Sequence, residues 1–329
     1  MNSLKNSKSK YHNKNLRLLI IIFIGLFITY YFNNINKNKN NNIVYKSKIE
    51  LSKPKFNSIP TIKNKDVNPS IDARYWALYD IESSSMIIGK NYDSKVPIAS
   101  ITKIMTAIIV LEQSKIDEVV TIPKIAVNVS GSKILLKSDE KITVEGLLQG
   151  SLINSGNDAA YSLGYYIADK FKPEITPEEK INFFVDLMNK KAEELGLLNT
   201  RYFDPAGLDD NGKSTVRDQG ILITYVLNNQ TIASIINKPE ATIYSVDGTI
   251  EHKLENSNRL VKEEMYYMGI IGGKTGFTPV AGHNLVAAAR RDEHILIAII
   301  ISTYSNLNTA SATEAKKLLD WGFNNLIWT

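Results

Sequence analysis

The stretch "IGGKTGFT", residues 271–278, admits two readings, and the choice between them sets both fold and chemistry. Gly-Lys-Thr invites a phosphate-binding loop, which would make this a nucleotide-handling protein. Such a loop needs Gly, four residues, then Gly-Lys-Ser/Thr, so that backbone N–H groups wrap the phosphates. Counting back from Lys274, the second glycine is Gly273, but position 268 holds Met268, and Gly269 comes one place late. Glycine torsions shape that loop, and a slip of one residue breaks it. A phosphate loop also opens a helix, whereas "FTPVAGHN" (277–284) carries Pro279 and Gly282 and reads as a turn. The other reading is one wall of a serine acyl-transfer site acting on peptides.

Downstream, "NLVAAARR", "DE" and "HILIAIIIST" form a hairpin pattern, followed by a last helix, "TASATEAKKLLDWGFNNL". Far upstream, "ARYWALYD" and "SMIIGKNY", joined by "IESS", read as another hairpin. Between the two lie helical patterns: "ITKIMTAIIVLEQ" (101–113), "TVEGLLQGSLINS" (143–155) and the amphipathic "PEEKINFFVDLMNKKAEELG" (177–196), with Pro at its start and Gly at its end. Strands at both ends with helices between them suggest an antiparallel sheet covered by helices.

The 329 residues contain no cysteine, which excludes disulfides and thiolate metal sites. The net charge of +5 is unevenly spread. Residues 1–32 hold five basic residues and no acid, and residues 33–69 hold eight lysines against Glu50 and Asp66, which leaves 70–329 acidic. A nucleic-acid-binding domain concentrates positive charge where it folds, so no nucleic acid is expected as a partner. "LRLLIIIFIGLFITYYF" (16–32) is apolar apart from Arg17 and reaches about 26 Å as a helix, close to a ~30 Å hydrocarbon core. It ends in bulky residues with no small-residue cleavage site, so it reads as an uncleaved transmembrane signal-anchor. The expected organisation is a cytoplasmic basic tail (1–15), the anchor (16–32), a flexible Asn/Lys-rich linker (33–69) and a folded domain (70–329) outside the cytoplasm.

Three short motifs could carry chemistry in that domain. Ser100 precedes a helix, where a serine is ordinarily an N-cap. Lys103 follows at i+3, on the same helical face, and a desolvated lysine can serve as base to a serine nucleophile. Ser155-Gly156-Asn157 is either a C-terminal cap and turn or a loop presenting a hydroxyl and an amide. Lys274-Thr275-Gly276 is either an ordinary turn or, on a strand edge, a cation, a hydroxyl and space for a ligand. Alone each motif is weak. In this order, spaced by 55 and 119 residues, they point to one site.

At these residues the sequence resembles the low-molecular-mass penicillin-binding proteins, the serine-type D-alanyl-D-alanine carboxypeptidases. The resemblance covers roughly 70–329 and includes "YDIESSSMIIGKNYDSKVPIASITKIMTA", "GSKILLKSDEKITVEGLLQGSLINSGNDAA", "MNKKAEELGLLNTRYFDPAGLDD" and "GGKTGFTPVAGHNL". It implies an α/β (α+β) fold of the β-lactamase/DD-peptidase transpeptidase type, an antiparallel sheet flanked by helices plus an all-helical subdomain. It implies no cofactor and no metal, a peptidoglycan stem peptide ending in D-Ala-D-Ala as substrate, and β-lactams as covalent inhibitors. By the same resemblance Ser100 is the nucleophile, Lys103 its base and Ser155 a proton relay. Asn157 holds the peptide amide, Lys274, Thr275 and Gly276 form the carboxylate site, and the N–H groups of Ser100 and Phe277 form the oxyanion hole. Lys274 would also keep Lys103 neutral by like-charge repulsion.

Rival chemistries find less support. None of His12, His252, His283 and His294 accompanies a Gly-x-Ser-x-Gly elbow, and no zinc-peptidase spacing occurs. The nearest match to the deacylating loop of class A β-lactamases is Glu178 to Asn182, within a surface helix. A non-catalytic penicillin sensor would lack Ser100 or Lys103. A DD-endopeptidase shares all three motifs and stays open as the alternative. Family members often continue into a C-terminal β-domain, for which the sequence shows no counterpart.

Overall fold

The computed structural model describes residues 58–328. The tail (1–15), the anchor (16–32) and most of the linker lie outside the described residues. Among the described residues, no helix is long and apolar enough to cross a membrane. The linker boundary needs correction. Thr61–Ile62 pairs antiparallel with Leu326–Ile327, and Trp321 Nε1 donates to the Val67 carbonyl at 2.8 Å. Backbone pairing, rather than side-chain burial, secures this polar segment, so its composition gives no hint of it.

Five antiparallel strands build the main sheet: β1 (Ala73–Asp80), β2 (Ser85–Lys90), β3 (Ile270–Thr278), β4 (Gly282–Arg291) and β5 (His294–Thr303). Their spatial order is β3-β4-β5-β1-β2, so the first and last thirds of the domain meet at β5 and β1, with Leu78 opposite Ala298. Both hairpins expected from the alternation are present. The central strands are apolar on both faces because both faces are covered. On one face Leu78, Ala298 and Ile300 join a core with Leu318 and Leu319 of the C-terminal helix (Ala310–Asn325). On the other, the Tyr79 ring meets Gly220 of the helix Val216–Leu227, where a Cβ would come within 2.9 Å. β3 is left as an edge strand, one long side facing the helical part.

That part is organised around α1 (Lys103–Gln113), with α2 (Val144–Leu152), α3 (Asn157–Phe171) and α4 (Pro177–Glu194). Every α1 residue from Lys103 to Val110 is buried, as a helix apolar all round must be. α4 begins with a complete capping box, Thr176 Oγ1 accepting from the Glu179 N–H and Glu179 accepting from the Thr176 N–H. Glu178 is exposed in its first turn.

Candidate active site

A cleft of about 340 Å³ opens where the edge of β3 faces the start of α1 and the junction of α2 with α3. Ser100, Ser155, Asn157, Thr275, Gly276 and Phe277 all line it.

Ser100 does not cap a helix. It sits within a 3₁₀ turn, Ala99–Thr102, that has no side-chain cap and runs straight into α1. The turn is forced by Ala99, whose φ of 50° is a left-handed conformation that a residue bearing a Cβ enters at a cost. Gly276 is needed for the same construction: a Cβ there would stand 2.5 Å from the Ile98 carbonyl and 3.1 Å from the Ser100 nitrogen. The room expected for a ligand at Gly276 is therefore largely filled by the backbone that carries Ser100. This contact puts the Ser100 N–H beside the strand segment that also holds Phe277.

Lys103 is wholly buried. Its Nζ lies 2.7 Å from Ser100 Oγ, 2.7 Å from Asn157 Oδ1 and 2.9 Å from the Ala206 carbonyl. The last two partners only accept, so they take two N–H bonds of a neutral amine and leave its lone pair facing the Ser100 hydroxyl. Burial lowers the Lys103 pKa to about 7, against the opposing pull of the Asp204 and Asp158 carboxylates. The repulsion expected from Lys274 is not among the causes that lower Lys103; burial alone does so. Lys274 is itself pushed well below its ordinary value, first by burial and then by the charge of Lys103.

Ser155 has φ 61° between α2 and α3, a second strained residue at the cleft. Lys274 Nζ donates to Ser155 Oγ at 2.8 Å and to the Thr275 carbonyl at 3.1 Å, and Thr275 Oγ1 is 2.5 Å from Ser257 Oγ. Asn157 is held on its other side, Nδ2 donating to the Ser130 carbonyl at 2.6 Å. Phe277 is exposed at the mouth, its ring stacked on His283 at 4.4 Å. His283 Nε2 is 3.2 Å from the Asn306 carbonyl, so that nitrogen already has a partner. His252 is buried between Glu140 and the Ile134 carbonyl.

The eight residues singled out in the sequence therefore converge. Sequence reasoning missed Ser257, Gly131 and Ser132 on the cleft wall, and the Ala206 carbonyl behind Lys103. The last lies in "DPAGLDD", whose Pro and Gly signal a turn but no chemistry. Ser257 lies in "ENSNRL", which carries no signal.

A family profile described as D-alanyl-D-alanine carboxypeptidase matches residues 62–305. The D-alanyl-D-alanine carboxypeptidase DacC of Escherichia coli is 32% identical over 267 residues, 78% of this chain and 62% of that protein. DacF of Bacillus subtilis is 32% identical over 262 residues, 77% of this chain and 62% of that protein. The chain thus spans less than two thirds of the length of these two relatives. The crystal structure of the Streptomyces K15 DD-transpeptidase superposes with a TM-score of 0.70 at 31% identity, covering 78% of this chain and 99% of that one.

Proposed function

The chain belongs to the D-alanyl-D-alanine carboxypeptidase family, and from that premise we propose that it removes the terminal D-alanine from peptidoglycan stem peptides through an acyl-enzyme on Ser100. The observation that carries the reading is the aim of Lys103: two hydrogens committed to carbonyl acceptors and the third direction pointing at the Ser100 hydroxyl.

In the proposed reaction Lys103 Nζ takes the Ser100 proton as Oγ bonds to the carbonyl carbon of the penultimate D-alanine. The developing oxyanion is received by the N–H groups of Ser100 and Phe277, each donor contributing on the order of 3 kcal/mol. The C–N bond then breaks, and the leaving amine receives a proton relayed through Ser155 from the Lys103 ammonium. Water attacks the ester, and Ser100 Oγ leaves with a proton. Lys274 and Thr275 hold the terminal carboxylate, with Asn157 on the peptide amide. A bound carboxylate supplies the counter-charge that burial denies Lys274, so the site charges as it fills. With a β-lactam the leaving nitrogen stays tethered, and the ester persists.

Incubation with a labelled penicillin and mapping of the adduct tests this. A Ser100 adduct lasting minutes is expected. Rapid turnover would indicate a β-lactamase, and no adduct would overturn the reading. Products from a pentapeptide stem and from a cross-linked dimer then separate carboxypeptidase from endopeptidase action. In Lys274→Gln, KM for a D-Ala-D-Ala peptide should rise by about 10–100-fold through loss of one charge-assisted hydrogen bond. A substrate with an amidated C-terminus should not register the change.

For location, we propose a single-pass anchor at residues 16–32 with the catalytic domain outside the cytoplasm. The apolar run and the basic cluster before it support this. Deleting residues 1–57 should release a protein that still binds penicillin, and retention in the membrane fraction would overturn the anchor.

A further inference from the structure

Asp204 is a buried carboxylate that no step above uses. Its Oδ1 accepts from the N–H groups of Ala206 and Gly207 at 2.6 and 2.7 Å, and its Oδ2 from that of Asp209 at 2.8 Å. Those three bonds close the turn 204–209, and the turn touches the catalytic apparatus at three points. The Ala206 carbonyl takes one hydrogen of Lys103. The Pro205 carbonyl accepts from Thr106 Oγ1 at 2.6 Å, one turn further along α1. Gly207, at φ +76°, lies so close to the 3₁₀ turn that a Cβ would stand 2.0 Å from the Ala99 carbonyl. One carboxylate thus fixes the segment that supports both the nucleophile's turn and the amine beside it.

We propose that Asp204 is a positioning residue for Lys103: it holds the turn whose Ala206 carbonyl orients the amine, and it stands as a fixed counter-charge to that amine. The inference rests on the reading of Lys103 as the base. The carboxylates bearing on Lys103 are Asp204 in the turn and Asp158 at the start of α3, and the buried Lys274 on β3 is lowered by burial and by Lys103. The Tyr161 phenol of α3, also near Asp204, stays neutral because burial and the carboxylates raise its pKa. Asp158 spends its oxygens on the N–H groups of Ile134, Leu136 and Ala159, which shape the opposite wall. Only Asp204 couples its charge to the carbonyl that Lys103 uses.

The test is the pH dependence of Ser100 acylation by a labelled penicillin, measured per folded site. The acid limb reports the base in the free enzyme. In Asp204→Asn, Oδ1 can still accept from Ala206 and Gly207, but Nδ2 cannot accept from the Asp209 N–H and the negative charge is gone. Its acid limb should move to lower pH by about one unit, and the plateau should fall several-fold. In Asp204→Glu, which keeps the charge but lengthens the arm, the limb should stay in place while the plateau falls. An unmoved limb in folded Asp204→Asn overturns the proposal, as does a displaced limb in Asp204→Glu, which decides the matter should the Asn variant not fold. Absence of any Ser100 adduct in the wild type would instead remove the serine-peptidase reading on which the proposal stands.

Discussion

Ser100→Ala is expected to form no penicillin adduct, because Oγ is the atom that takes the acyl group. Its turnover of a D-Ala-D-Ala peptide should fall by at least about 10⁴-fold, down to whatever slow hydrolysis the oxyanion site alone sustains. The serine and its base act as one device, so the loss should not be additive: Ser100→Ala combined with a Lys103 variant should be no slower than Ser100→Ala alone. Binding should survive, because Lys274 and Thr275, the proposed carboxylate site, lie on a different element, β3. A variant that binds a D-Ala-D-Ala peptide with near wild-type affinity yet forms no adduct is the expected outcome. An adduct on another residue would show that the nucleophile has been misassigned.

Lys103→Met should cost acylation about 10²–10⁴-fold, the usual worth of a positioned base. The acid limb should vanish with it, because no group remains whose proton must first be lost. In the wild type that limb should lie near pH 7, where burial holds the lysine. The stability consequence has the opposite character to that of a salt bridge. Lys103 binds its proton less tightly folded than unfolded, so between about 7 and the ordinary lysine value of 10.5 the unfolded chain carries the extra proton. Wild-type stability should therefore rise with pH across that window as far as this group is concerned, and the rise should be absent in Lys103→Met. Below about 7 both states are protonated, and the full cost of burying the charge is present. Methionine removes that cost but leaves Asn157 Oδ1 and the Ala206 carbonyl short of a donor. Denaturant titrations at several pH values would separate the two effects.

Both hairpins of the main sheet were legible because each strand is one apolar run interrupted by a short polar connection, "IESS" after Asp80 and "DE" after Arg291. The amphipathic α4 was legible from its period and its terminal Pro and Gly. The sequence is silent on the elements between 216 and 255, for two physical reasons. Gly220 reads as a helix breaker, but the Tyr79 ring packed against it explains its presence inside a helix. The hairpin Glu240–Tyr244 with Glu251–Glu255 turns at Asp247-Gly248, a strong turn signal, but its second strand alternates with His252 in place of an apolar residue at one of its two buried positions, which hides the period.

The site was legible where side chains do the work and illegible where backbone does. Ser100, Lys103, Ser155, Asn157, Lys274 and Thr275 announce themselves by residue type and order. The Ala206 carbonyl and the left-handed Ala99 leave no mark, since any residue supplies a carbonyl and alanine is not an expected occupant of that torsion. Gly276 was recognised, but its reason was not: it makes way for backbone from residues 98–100.

That last contact has a bearing on timing. The turn bearing Ser100 is wedged between Gly207 on one side and Gly276 on the other, three segments far apart in the chain meeting backbone to backbone. Contacts of such long range are the slow ones to form, because the loops between them must close first. A chain that has made its helices and its first hairpin, but has not yet docked β3, has the serine without the confinement that bends it. If Ser100 is the nucleophile proposed above, its reactivity should appear only when β3 docks, so that folding and the onset of penicillin labelling coincide in a refolding time course.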